Sequence, residues 1–130
     1  MKIINNIHDI EELLELKVNM DVEDRVPYFS TNLWKYLETV LFVSQESKIL
    51  GYLAYSEKEE GVFLLEVVGV DEHSRGLGIS SELLDFFIEL AKDGNKAIRV
   101  NRFTGDGMKR LKDQLFKLSE KKNISIEYLR

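Results

Sequence analysis

Val62-Phe63-Leu64-Leu65-Glu66-Val67-Val68-Gly69-Val70 is an apolar run broken by a single carboxylate. Its near-continuous hydrophobicity predicts a central strand covered on both faces rather than a half-exposed one. After the polar stretch Asp71-Glu72-His73-Ser74 comes Arg75-Gly76-Leu77-Gly78-Ile79-Ser80-Ser81, and Ile79, Leu83, Phe87 and Leu90 then recur at helical spacing. A chain that passes from a strand through a glycine-bearing turn into a helix offers unpaired backbone N–H groups and the positive end of a helix dipole to an anion. Glycine lacks Cβ, so a ligand oxygen can come close to the main chain, and positive φ costs it nothing. A lone G-x-G remains a weak signal, equally compatible with an ordinary strand-to-helix turn.

Downstream, Lys92-Asp93-Gly94-Asn95 reads as a glycine stop for the helix, and Ala97 to Phe103 as the next strand. Thr104-Gly105-Asp106-Gly107 is a capping turn, Met108, Leu111, Leu115 and Leu118 stripe another helix, and Ile124 to Leu129 alternates as a strand that closes the sheet. Upstream, Lys2 to Asn5 starts a strand, and Ile10, Leu13, Leu14 and Val18 form one helical face with Asp9 as N-cap. Asn19 to Tyr28 reads as a loop, and Ser30 or Thr31 caps a second helix through Leu33, Trp34 and Leu37. Val40 to Val43 and Ile49 to Tyr55 form a hairpin, and Glu57-Lys58-Glu59-Glu60-Gly61 reads as a solvated hairpin tip, with a substrate-facing loop as the alternative. The expected element order is β-α-α-β-β-β-α-β-α-β in one domain spanning residues 1–130, without repeats or linkers.

Composition narrows the function. A hydrophobic share of 44% with a single proline is that of a chain with a packed core. No apolar stretch approaches the ~20 residues of a membrane span, and residues 1–6 show no leader, so a cytoplasmic protein without a membrane partner is expected. The absence of cysteine excludes disulfides, thiol nucleophiles and thiolate metal sites, and His8 and His73 have no metal-ligand spacing. A net charge of −5 speaks against a general nucleic-acid binder and mildly favours a cationic acceptor.

The string from Val70 to Leu84 resembles the signature of the GNAT acyltransferase superfamily, through Arg75, Gly78 and the pair Leu83-Leu84. Ser80 stands where glycine or alanine is usual, a departure that would change how one phosphate oxygen is held. The resemblance is specific over Val62 to Ala91 and poor in the last thirty residues. It implies an α/β (α+β) fold, with a mixed, mostly antiparallel central sheet flanked by helices on both faces. It also implies acetyl-CoA as acyl donor, the transfer of acetyl to a primary amine of a small molecule or protein, and a monomer or homodimer.

On that resemblance, the amides from Arg75 through Gly76, Leu77, Gly78, Ile79, Ser80 and Ser81 would hold the pyrophosphate. The pantetheine arm would lie along Val67 to Val70 and be contacted by Asn101. Gly69 suggests a bulge or a plain twist point there, and an exposed Val68 amide would polarise the thioester carbonyl. Glu66, costly in an apolar strand unless paired, would take the proton from the acceptor ammonium, although a salt bridge would equally explain it. The tyrosine that serves such enzymes as general acid has its best local match in Leu111-Lys112-Asp113-Gln114-Leu115-Phe116, where Lys112 replaces it. Water or Tyr128 could substitute, since the leaving thiol has a pKa of about 8.5 for a cysteine-like group. Phe29, Trp34 and Tyr36 would line the acceptor pocket or belong to the core. The alternative function is a GNAT-fold module that binds CoA or a protein without turnover. A dinucleotide-binding unit is weaker, because it wants a third glycine where Ser81 stands.

Overall fold

The computed structural model of the protein describes residues 2–5, 38–46, 49–100 and 107–128. Six strands form one sheet in the order β1-β2-β3-β4-β5-β6: Lys2–Asn5, Glu38–Val43, Ile49–Ser56, Val62–Val70, Ala97–Val100 and Ile126–Tyr128. Helix α1 (Ile79–Asp93) joins β4 to β5, and α2 (Gly107–Lys122) joins β5 to β6. The helices expected between residues 8 and 37 lie outside the described residues, as do Phe29, Trp34, Tyr36 and Asn101. Among the described residues the order reads β-β-β-β-α-β-α-β, without the two helices expected before the second strand.

The first four strands pair antiparallel, and β4-β5 and β5-β6 pair parallel. The sheet is mixed, as expected, but its last third is parallel because each of the last two strands is reached through a helical crossover. β6 does not simply close an antiparallel sheet; it lies beside β5 in the same direction, with Val100 opposite Tyr128.

Both faces of the central strands are buried. Val40, Phe42, Leu53, Tyr55, Phe63, Leu65, Ile98 and Val100 pack on one face against Ile79, Leu83, Phe87 and Leu115 of the two helices. Leu41, Tyr52, Ala54 and Val67, at the intervening positions, are equally buried on the other face. Among the described residues both helices lie on the first face, so helices on both faces are not seen there. Every residue of β4 is buried or half-buried, in keeping with a doubly covered strand.

Two local features set where α1 begins. Gly51 of β3 lies directly under its first turn: a Cβ there would come within 2.9 Å of Ile79 Cγ2 and 3.3 Å of Leu83 Cδ1. The missing side chain lets the helix sit close on the sheet. At the end of β4, Asp71 N–H donates to the Leu50 carbonyl at 2.8 Å, extending the ladder one residue past the strand. The helix stop also differs in detail from expectation. Gly94 has φ −87°, and the left-handed residue is Asn95 at φ 55°, after which Lys96 N–H bonds the Ala91 carbonyl at 2.7 Å. Asparagine tolerates that conformation better than most residues, which is why the turn works without glycine there.

Candidate functional site

The turn between β4 and α1 is built from its own backbone. Asp71 and Ser74 are both buried, Ser74 N–H donates to the Asp71 carbonyl at 2.9 Å, and Glu72–Ser74 form a single 3-10 turn. The chain then leaves through Arg75 in extended conformation and reverses at Gly76 (φ 81°) and Gly78 (φ 79°). Both values lie in the region that an L side chain resists, so glycine is demanded by geometry at these two positions. A Cβ on either would meet nothing within 4 Å, so the glycines face open space rather than packed protein.

Gly78 is the N-cap of α1 and supplies no side-chain cap, and the first intrahelical bond runs from Glu82 N–H to the Gly78 carbonyl at 3.1 Å. The amides of Ile79, Ser80 and Ser81 precede that bond and stand at the positive end of the dipole. A diphosphate fits such a site: the approach is open, the donors are backbone groups, and Arg75 is exposed beside it. Ser80 is not idle there. Its Oγ lies 3.1 Å from Nε2 and 3.3 Å from Oε1 of Gln114 on α2.

The second part of the site is the stretch of β4 beyond its pairing with β5. The parallel register covers Val62 to Leu65 against Ala97 to Val100, so from Glu66 to Val70 the strand has no β5 partner among the described residues. Of the two readings of Gly69, a bulge or a twist point, the bulge is elsewhere. Gly69 pairs regularly with Tyr52, whereas the register with β3 slips from Ala54 opposite Val67 to Tyr55 opposite Leu65. Glu66 is the extra residue. A bulge bends its strand and increases the local twist, so the slip falls where β4 leaves the β5 ladder. Glycine is one way to make a bulge, but here the half-buried Glu66 occupies it.

Val68 and Val70 are half-buried and pack against the helix-side core. Val67, opposite Ala54, lies on the other face, and Glu66 is the bulged residue between it and Leu65. Lys112, which stands where the tyrosine would be, and Tyr128, its candidate substitute, come together: Lys112 Nζ of α2 lies 5.8 Å from the Tyr128 ring centroid. Burial pushes the Tyr128 hydroxyl above its ordinary pKa. His73 is exposed in the 3-10 turn. Sequence reasoning missed Gln114 and Gly51. Gln114 reads as one polar residue of an amphipathic helix, and no local pattern links it to Ser80, 34 residues away.

The charged segment Glu57–Gly61 lies at the other end of the sheet. Glu57 accepts from Gly61 N–H at 3.0 Å and from Lys96 Nζ at 2.7 Å, and Arg99 bridges Glu59 and Glu127. These pairs tie the turn to β5 and β6, which is a structural role.

The model of the acetyltransferase (GNAT) family matches residues 7–105. A search of curated proteins finds no match. Among solved structures, the ribosomal-protein-alanine N-acetyltransferase of Brucella melitensis biovar Abortus 2308 is similar at TM-score 0.61 and 16% identity, covering 96% of this chain and 92% of that one. A GNAT-family acetyltransferase of Staphylococcus aureus Mu50 gives TM-score 0.61 at 22% identity, covering 88% and 78%. A GNAT-family N-acetyltransferase of Escherichia coli, solved in complex with CoA, gives TM-score 0.60 at 18% identity. That match covers 75% of this chain and 59% of the E. coli protein, less than two thirds of its length. At such identities the likeness speaks for the fold.

Proposed function

The chain belongs to the GNAT acetyltransferase family, and we propose on that premise that it transfers an acetyl group from acetyl-CoA to a primary amine. The observation that carries the reading is the pair of left-handed glycines, Gly76 and Gly78, opening onto the free amides of α1 at the end of the central strand. Backbone donors from Arg75 to Ser81 would bind the diphosphate, and the edge of β4 from Glu66 to Val70 would take the pantetheine arm. Acetyl-CoA supplies an activated thioester. Beside it, the Val68 amide would donate a hydrogen bond to the developing oxyanion. Glu66, at the bulge of β4, would take a proton from the acceptor ammonium, freeing the nitrogen lone pair. The amine then bonds to the acetyl carbon, its nitrogen gives up a second proton to water as the C–S bond breaks, and the thiolate takes a proton from water.

A second reading, a module that binds CoA without turnover, is favoured by one observation: α2 carries Lys112 where a proton-donating tyrosine would be expected. Calorimetric titration with acetyl-CoA, followed by a thiol-release assay over a panel of amines, separates the two. Binding with amine-dependent thiol release supports the transferase, binding without release supports the module, and no binding removes both.

A further inference from the structure

Ser80 is the second residue of α1, so its hydroxyl and its amide both stand at the positive end of the helix, beside the open glycine turn. A serine hydroxyl has one proton to give and can accept a bond as well. Gln114 offers it both kinds of partner, Nε2 at 3.1 Å and Oε1 at 3.3 Å. If the proton goes to Oε1, none is left for a ligand. If Nε2–H donates to Oγ, the Ser80 proton is free to turn toward an anion. A bound phosphoryl oxygen rewards only the second arrangement, and a donor on Oγ polarises the hydroxyl and strengthens its outward bond. Gln114 is held for this task because its neighbour Leu115 is fully buried in the core, and both members of the pair are half-buried.

We infer that Gln114 is a positioning residue for the diphosphate seat: its side-chain amide donates to Ser80 Oγ and leaves the Ser80 proton for a phosphoryl oxygen. The inference rests on the reading of that turn as a CoA seat. It adds a side-chain donor to a site otherwise made of backbone, and it couples the placement of α2 to ligand binding.

Calorimetry with CoA tests it on the wild type, Ser80→Ala, Gln114→Glu and the double variant. Gln114→Glu keeps size and packing but replaces the donor by a group that can only accept, so the Ser80 proton is drawn inward. Each single change is expected to weaken CoA about tenfold, the scale of one hydrogen bond to a charged group. The double variant should be little weaker than either single one, because both changes remove the same bond. Melting temperatures without ligand should stay within a few degrees. Should Gln114→Glu unfold, Gln114→Met takes its place in the same cycle, since it packs there without donating or accepting. Additive losses, which would mark a plain charge effect, or unchanged CoA affinity in folded variants overturn the role of Gln114. A wild type that binds no CoA removes the seat, and this inference with it.

Discussion

Glu66 and Tyr128 stand at nearly the same level of the sheet, two strands apart. Tyr128 is opposite Val100, Val100 is opposite Leu65, and Glu66 is the bulged residue that follows Leu65. Two strand spacings, about 10 Å, separate Tyr128 from β4. The ring packs with the helix-side core under Lys112. A base at Glu66 and an acid at Tyr128 would thus be separated by the width of β5.

That separation bears on Tyr128→Phe. The change keeps the ring and its contact with Lys112 and removes only a hydroxyl whose pKa burial has raised. Thiol release should stay close to the wild-type rate, with water protonating the thiolate. A rate loss of about tenfold or more, equivalent to ~1.4 kcal/mol of transition-state stabilisation, with the fold intact by circular dichroism, would assign the proton to Tyr128.

Glu66→Gln should lower turnover while leaving acetyl-CoA affinity near its original value, because the amide keeps the size and loses the basicity. General-base contributions run ~10²–10⁴-fold. A loss of less than about threefold across the pH range would mean that Glu66 serves the bulge and not the chemistry.

Gly78→Asp should weaken acetyl-CoA binding by well over tenfold. Two causes add, the strain of a Cβ at φ 79° and a negative charge at the anion seat. Gly78→Asn shares the strain without the charge, so the difference between the two isolates the electrostatic part. Calorimetry on both variants checks it, and equal affinities would show that the seat does not select by charge.

Gly51→Ala acts at a distance from the ligand. The added Cβ would press Ile79 Cγ2 at 2.9 Å, and the Gly69 carbonyl at 3.2 Å blocks escape toward β4. Overpacking of this kind costs about 1–3 kcal/mol, which denaturant melts would show as a lower midpoint with an unchanged slope. Because Ile79 opens α1, CoA affinity should fall as well.

Glu57 gives a pH test. Its carboxyl is held below the ordinary value, first by the hydrogen bond from Lys96 and then by the one from Gly61 N–H. A carboxylate with a lowered folded-state pKa contributes stability that is present above its unfolded value and is lost as pH falls through the folded one. Glu57→Gln should therefore flatten the acid side of the stability curve below about pH 4.5, the unperturbed carboxyl value. The group is exposed, so the difference should shrink in high salt. Melts at low and high ionic strength test both statements.

The limits of β4 at Val62 and Val70, the glycine turn and the helix from Ile79 were legible in the chain, because each rests on neighbours within a few residues. Hydrophobic continuity makes the strand, positive φ selects glycine at Gly76 and Gly78, and apolar spacing makes the helix. Glu66 could be singled out for the same reason, since one carboxylate in an apolar run needs no partner to be conspicuous. Only the tertiary structure decided where the strand bulges, because a bulge is a mismatch with β3 and has no meaning for one strand alone. The direction of β6 beside β5 was likewise set by the path of α2, and the shared level of Glu66 and Tyr128 by a register running through three strands. The contact between Ser80 and Gln114 joins residues 34 apart, brought together by two helices packing on one face of the sheet. Local chemistry is written in consecutive residues, while contacts of this kind exist only once burial of the core has brought distant segments together.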